Sequence, residues 1–248
     1  MRRRCVVLGT VELSDFAEME VVLLRCPKFY ARENLVTVFP EAEQRAGHIQ
    51  AAHADGESSE ANYYLLYTFQ PSDFVPDEEP SRLDSDELLG QANEDGGAGT
   101  VEKQATMSSP LQKKDDSFSG LIQYSPASVE WKDRSRERFF SFMAAVQARL
   151  EKHLGSANKI SSRFFMDWPD PATGLPRCTE RGSTIFCDAD AIQQFFSFNS
   201  EIIASPGGGC RMIEHPRFGL NVYPAAGVLV LPRYAEETLR KTILSFAS

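Results

Sequence analysis

The stretch EHPRFGLNVYPAAGVLVLP, Glu214–Pro232, decides how this chain is read. Its second half reads as a strand, because apolar and β-branched residues run to a proline that cannot donate to a ladder. An echo stands near the start as RCPKFYARENLVTVFPEAE, Arg25–Glu43. Both stretches run Pro, a basic residue, Phe, then Val, an aromatic, Pro, any residue and Ala. The spacing differs, and no whole element repeats at a fixed period, as a duplicated unit requires. The echo is therefore read as two strands that each end at a proline, a common arrangement.

Working outward, CVVLGTVEL (5–13), NLVTVFP (34–40) and NYYLLYTFQP (62–71) also read as strands. SDFAEMEVVLLRC (14–26) is ambiguous. Phe16, Met19 and Leu23 recur at helical spacing, Val21–Leu24 suits a buried strand, and the helix is preferred. In the second half GLIQYSP, ISSRFFMDW, STIFCD and CRMIEH read as strands. A long helix is expected from Val129 to Leu154, with Ser128 as N-cap and Gly155 just past its end. Phe139, Phe142, Met143, Val146, Leu150 and Leu154 then share a stripe about 120° wide, suited to a core-facing helix. A closing helix is expected from Ala235, with Leu239, Ile243 and Phe246 on one face. Strands and helices mix without a βαβ rhythm, so the expected class is α+β with mostly antiparallel strands.

Charge divides the chain. Between Pro71 and Phe118 stand 12 acidic and 4 basic residues, which is −8 of the formal −9. That segment lacks apolar periodicity and is rich in Gly, Pro and Ser, a composition that cannot offset the entropy of ordering. The expected organisation is a strand-rich lobe at 1–71, a disordered acidic linker or insertion at 72–117, and an α+β lobe at 118–248. Whether the two lobes share one domain stays open. Within the linker, Leu83, Leu88 and Leu89 sit among acids, as in segments that fold on a partner. Five cysteines without close spacing suit free thiols. No apolar run approaches the ~20 residues of a membrane span. Acids follow MRRRC at once, unlike a targeting signal. An intracellular protein, cytoplasmic or nuclear, is expected.

Candidate chemistry is sparse. STIFCDADAI places Asp188 and Asp190 after an apolar stretch, where two carboxylates could share a divalent ion for phosphoryl or glycosyl transfer. The competing reading makes Asp190 the N-cap of the next helix, with Gln193 completing a capping box. Lys241 is the one lysine after them. SPGGGCR offers glycines for a phosphate cradle, but a strand rather than a helix follows, so a hairpin or loop is expected. Cys178, Cys187, Cys210 and His215 lack paired metal-ligand spacing. On the long helix, Arg134, Arg138, Arg149 and Lys152 gather on one flank beside Glu130, Asp133, Glu137 and Glu151. Such a mixed flank suits solvent or a protein partner better than nucleic acid. The expectation is a non-catalytic subunit or adaptor of an intracellular assembly, with protein partners and no cofactor. A metal-dependent hydrolase or transferase and a phosphate or nucleic-acid binder are the alternatives.

Overall fold

The structure, a computed structural model, describes residues 6–13, 18–51, 60–72, 126–155, 163–205 and 208–247. It is α+β, and every neighbouring pair of strands is antiparallel. Five strands form one sheet: β1 (Val6–Leu13), β2 (Met19–Cys26), β3 (Ala61–Pro71), β4 (Phe165–Asp167) and β7 (Val222–Pro232), in the order β1-β2-β3-β7-β4. β5 (Asn199–Ser205) and β6 (Gly208–Glu214) make a separate two-stranded hairpin. β3 and β7 pair in unbroken register from Ala61–Pro232 to Pro71–Val222. The sheet therefore joins the N-terminal and C-terminal parts of the chain.

β2, β3 and β7 are buried on both faces, which explains why they carry continuous apolar runs rather than strict alternation. Along β3, Tyr63, Leu65, Tyr67 and Phe69 enter one core cluster, and Tyr64 and Leu66 enter the other. On β7, Ala226, Val228 and Val230 share the first face, and Ala225, Leu229 and Leu231 the second. The first face is covered by α1 (Lys28–Tyr30), a π turn at Ala31–Leu35, α2 (Val36–Val38) and α3 (Pro40–Ala51), with α5 (Asp188–Phe195). The second is covered by α4 (Pro126–Leu154) and α6 (Glu236–Leu244). The α4 stripe is the expected one: Phe139, Phe142, Met143, Val146, Leu150 and Leu154 all lie in that core. Met143 packs so close to the sheet that a side chain on Gly227 would overlap its methyl group. Pro224 is tolerated inside β7 because β4 reaches only Val228–Val230, leaving that edge of β7 without a described neighbour.

Several local expectations fail, for one reason. Of the preferred helix at 14–26, Met19–Cys26 form strand β2, because Val21–Leu24 bury on alternate faces of a doubly covered sheet, while 14–17 lie outside the described residues. The expected strand NLVTVFP is helical, with Ala31, Leu35 and Val38 forming its buried side. Burial at helical spacing outweighs the β-propensity of two valines and a threonine. The echo thus pairs a helical segment with a strand, so these two stretches are not copies of one unit. With Ser183 and Thr184 as bends and Asp188 opening α5, STIFCD forms no strand with any described segment. It docks through Gly182 N–H on Val38 O at 2.9 Å and Thr184 N–H on Thr37 O at 3.2 Å. α4 begins at Pro126, so Ser128 lies inside the helix, while Gly155 ends it with φ 85°. GLIQYSP lies outside the described residues except Pro126, as do most of the acidic segment and Leu83, Leu88 and Leu89.

A buried carboxylate organises the chain after β4. Asp167 Oδ1 accepts the Trp168 and Cys178 amides at 2.7 and 3.0 Å, and Oδ2 accepts the Thr179 amide at 3.0 Å and its hydroxyl. Arg136 on α4 forms a bidentate pair with Asp170 just beyond.

Two glycine substitutions separate tight packing from open helix. A Cβ on Gly182 would lie 1.9 Å from Thr37 O, a backbone atom, whereas one on Gly47 meets nothing within 4 Å. Gly182→Ala is expected to lower stability by about 1–3 kcal/mol in urea unfolding. Gly47→Ala, on an exposed face of α3, should raise it by roughly 0.5–1 kcal/mol. Equal midpoints for the two variants would contradict this packing.

Candidate functional site

The groups with chemical potential collect where α5 and the β5–β6 hairpin meet the first face of the sheet. α5 forms because Asp190 places negative charge in its first turn, where the helix dipole favours it, and because Ala191 and Ile192 bury. It starts three residues before the expected position. Cys187, not Asp190, is the N-cap, and no side-chain capping bond forms.

The two aspartates are driven apart by that helix. Asp190 faces outward and pairs with Arg211 of β6 at 2.8 Å, and the same guanidinium reaches Gln193 Oε1 at 3.1 Å. Gln193 donates to Ser200 Oγ of β5 at 2.7 Å. These bonds fasten the hairpin to α5. Asp188 turns inward instead. Its Oδ1 is closed to solvent and has no hydrogen-bond partner among the described residues. Burial holds its carboxyl up at about 8, so it is protonated at neutral pH. The buried Tyr67 hydroxyl nearby is also unpartnered, and burial followed by the Asp188 charge pushes it well above its ordinary range.

Beside this pair lies an aromatic cluster. Phe196 meets Tyr67 edge-on at 5.4 Å and Phe69 at 5.5 Å, and Phe195 meets Tyr30 at 4.5 Å. His215 sits among Phe69, Phe198 and Phe218 at 4.6, 5.0 and 5.1 Å between ring centres. The imidazole is held by a tight turn in which His215 and Gly219 exchange both backbone hydrogen bonds at 2.8 Å, with Gly219 at φ 59°. Its Nδ1 accepts the Arg217 amide at 3.2 Å, which places the ring proton on Nε2. Nε2 points toward Glu20 Oε1 at 3.7 Å, too far for a hydrogen bond. Burial, reinforced by the Arg217 charge, lowers the imidazole to about 4, so the ring is neutral and no ion pair with Glu20 forms at neutral pH.

The remaining sequence candidates scatter. Cys178 lies against Asp167 with its thiol pushed up to about 11 by burial and that carboxyl group. Cys187 is exposed at the start of α5, and His215 is enclosed by phenylalanines. Among the described residues no group of three His, Cys, Asp or Glu is placed to hold a metal ion. Of SPGGGCR, Ser205 ends β5 opposite Gly208, Gly208–Arg211 belong to β6, and 206–207 lie outside the described residues. On α4, Arg149 is engaged: it donates to Ser245 Oγ at 2.6 Å and lies 3.5 Å over the Phe246 ring, pinning α4 to the end of α6. Arg134, Arg138 and Lys152 stay exposed along that helix. Among the described residues no helix is long and apolar enough to cross a membrane. No protein-family model and no curated protein matches this chain.

Sequence reading gave Tyr67 and Glu20 no role in a site, and it weighed His215 as a metal ligand. Nothing local marks these residues, since each is one polar position in or beside an apolar strand.

The His215 environment carries a pH consequence with a definite sign. Its folded-state value lies below the ordinary 6.5, so the unfolded chain binds the proton first as pH falls. Its contribution to stability is complete above about 6.5 and is lost as pH falls toward 4. Urea midpoints at pH 7 and 4.5 should therefore differ less in His215→Phe than in the wild type. An identical difference in both chains would exclude His215 as the source.

Proposed function

We propose that the chain is a non-catalytic subunit or adaptor of an intracellular assembly, working through protein–protein contacts, and that strand β5 is a principal contact element. The observation that carries this reading is the state of β5. It pairs with β6 along one edge and with no described strand along the other. At its centre Ile202 is 71 % exposed. Such an edge is a ready template for an added strand, with main-chain hydrogen bonds supplying affinity and side-chain anchors supplying selectivity. The charge on β5 is confined to Glu201, so the strand is weakly protected against pairing. A second apolar anchor, Ile185, is 61 % exposed three residues before α5, the helix that holds the hairpin.

The carboxylates lend no comparable support to a metal-dependent hydrolase. Asp190 is committed to Arg211, and Asp188 presents a sealed oxygen to the interior. A divalent ion needs both charges directed at one point.

A photo-activatable crosslinker at Ile202 is expected to capture a protein partner, while the same probe at exposed Lys152 captures none or a different set. Ile202→Asp should abolish the capture without changing the melting temperature by more than about 2 °C, as for a surface substitution. A Mg²⁺- or Mn²⁺-dependent rise in melting temperature that disappears in Asp188→Asn would instead establish the metal reading.

A further inference from the structure

Among the described residues, two sealed polar atoms at the first turn of α5 lack a hydrogen-bond partner, Asp188 Oδ1 and the hydroxyl of the coupled Tyr67. A buried carboxyl oxygen without a donor is costly, and far more so once the group is charged. Asp188 acts on Tyr67 and on Tyr223 of β7; Tyr30, Cys26 on β2 and Cys187 just before α5 also act on Tyr67. Arg136, Asp170 and Asp133 act on Tyr223 as well, and Arg136 is paired with Asp170. Arg211, the base beside α5, is held by Asp190 on the outer side of the helix. What remains to favour a negative charge on Asp188 is the partial positive charge of the α5 N-terminus, about half a unit.

The attachment of α5 is light. It buries Ala191 and Ile192, packs Ala189 and the edge of Phe195 against the same core, and is followed by Phe196, which meets Tyr67 edge-on. The Asp190–Arg211 and Gln193–Ser200 bonds tie it to the hairpin, so helix and hairpin stay or leave together.

We infer that α5 is a proton-operated latch: its first turn stays seated over Tyr67 while Asp188 is protonated, and it lifts to bring Asp188 into water when that carboxyl ionises. The carboxyl's rise to about 8 places the transition at mildly alkaline pH. Its folded-state value is raised, so the seated form keeps a proton that the open chain has lost. Seating therefore weakens as pH rises from about 4, the ordinary aspartate range, to about 8. Because β5 travels with α5, opening would reposition the proposed contact strand. That consequence rests on the function proposed above, whereas the latch itself does not.

Amide hydrogen exchange on the full chain at pH 6 and pH 9, corrected for intrinsic exchange, tests the latch. Protection over 188–198 is expected to fall by about tenfold or more at pH 9 while β3 and β7 keep theirs. Asp188→Asn should hold the same protection at both values. Equal protection in the wild type, or the same loss in Asp188→Asn, overturns the latch. Tyr67→Phe guards against a packing artefact of the carboxamide: it removes the phenol and leaves the trigger, so the pH 9 loss should persist. If that loss disappears in Tyr67→Phe, the carboxyl is not the trigger and the proposal fails. The readout needs no partner, so a failed latch with crosslinking at Ile202 intact leaves the contact reading standing, and the reverse result removes only the contact reading.

Discussion

The pairing of β3 with β7 is the constraint on which the rest of this molecule depends. These strands lie about 160 residues apart in the chain, yet they share an unbroken antiparallel register from Ala61–Pro232 to Pro71–Val222. Bringing them together carries the loop-closure cost of everything between. The return is a pair of inner strands whose side chains are buried on both faces, as with Leu65, Leu66, Val228 and Leu229. A one-residue slip would move every one of these to the opposite cluster, so the register is strongly specified. Once the pair is set, β2 adds to β3, β4 adds to β7, and each face needs its own helical cover.

That requirement explains the distribution of the helices and their closeness to the sheet. α4 presses Met143 onto the backbone at Gly227, and a flat glycine position is what permits the approach. On the opposite face the cover is assembled from short pieces: the 28–38 helical stretch, α3, the strap at 182–186, and α5. A cover built from pieces leaves seams. The polar atoms without partners on this side, at Asp188, Tyr67 and His215, lie along the seam where α5 and the hairpin meet β3. Two of these groups titrate in opposite directions. Asp188 weakens the seam as pH rises, and His215 weakens it as pH falls. Between about 4 and 6.5 the two effects oppose each other, and at higher pH only the Asp188 loss continues, up to about 8.

Legibility in the sequence followed the number of buried faces. α4 was readable because only one of its sides is covered, so Phe139, Phe142, Met143, Val146, Leu150 and Leu154 recur at helical spacing. The strands β3, β6 and β7 were readable from their composition. β2 was misread because burial on both faces erases the period of two and leaves an apolar run that also fits a helix. α3 went unnoticed because its buried side is Ala42, Ala46 and Ile49, with Arg45 among them, too small and too polar to stand out. The segment NLVTVFP has the local composition of a strand, and its helical form is imposed by what Leu35 and Val38 pack against.

By itself the sequence determined the class of the fold, the core side of the longest helix, the hairpin at SPGGGCR, and the concentration of acid between Pro71 and Phe118. These depend on composition and short-range periodicity, which a linear chain displays directly. Only the tertiary structure decided that the N-terminal and C-terminal strands share one sheet, and that Asp188 and Asp190, two residues apart, face opposite environments. Strand partners and the solvent access of one carboxyl oxygen are set by segments far away in the chain. No window of neighbouring residues contains them.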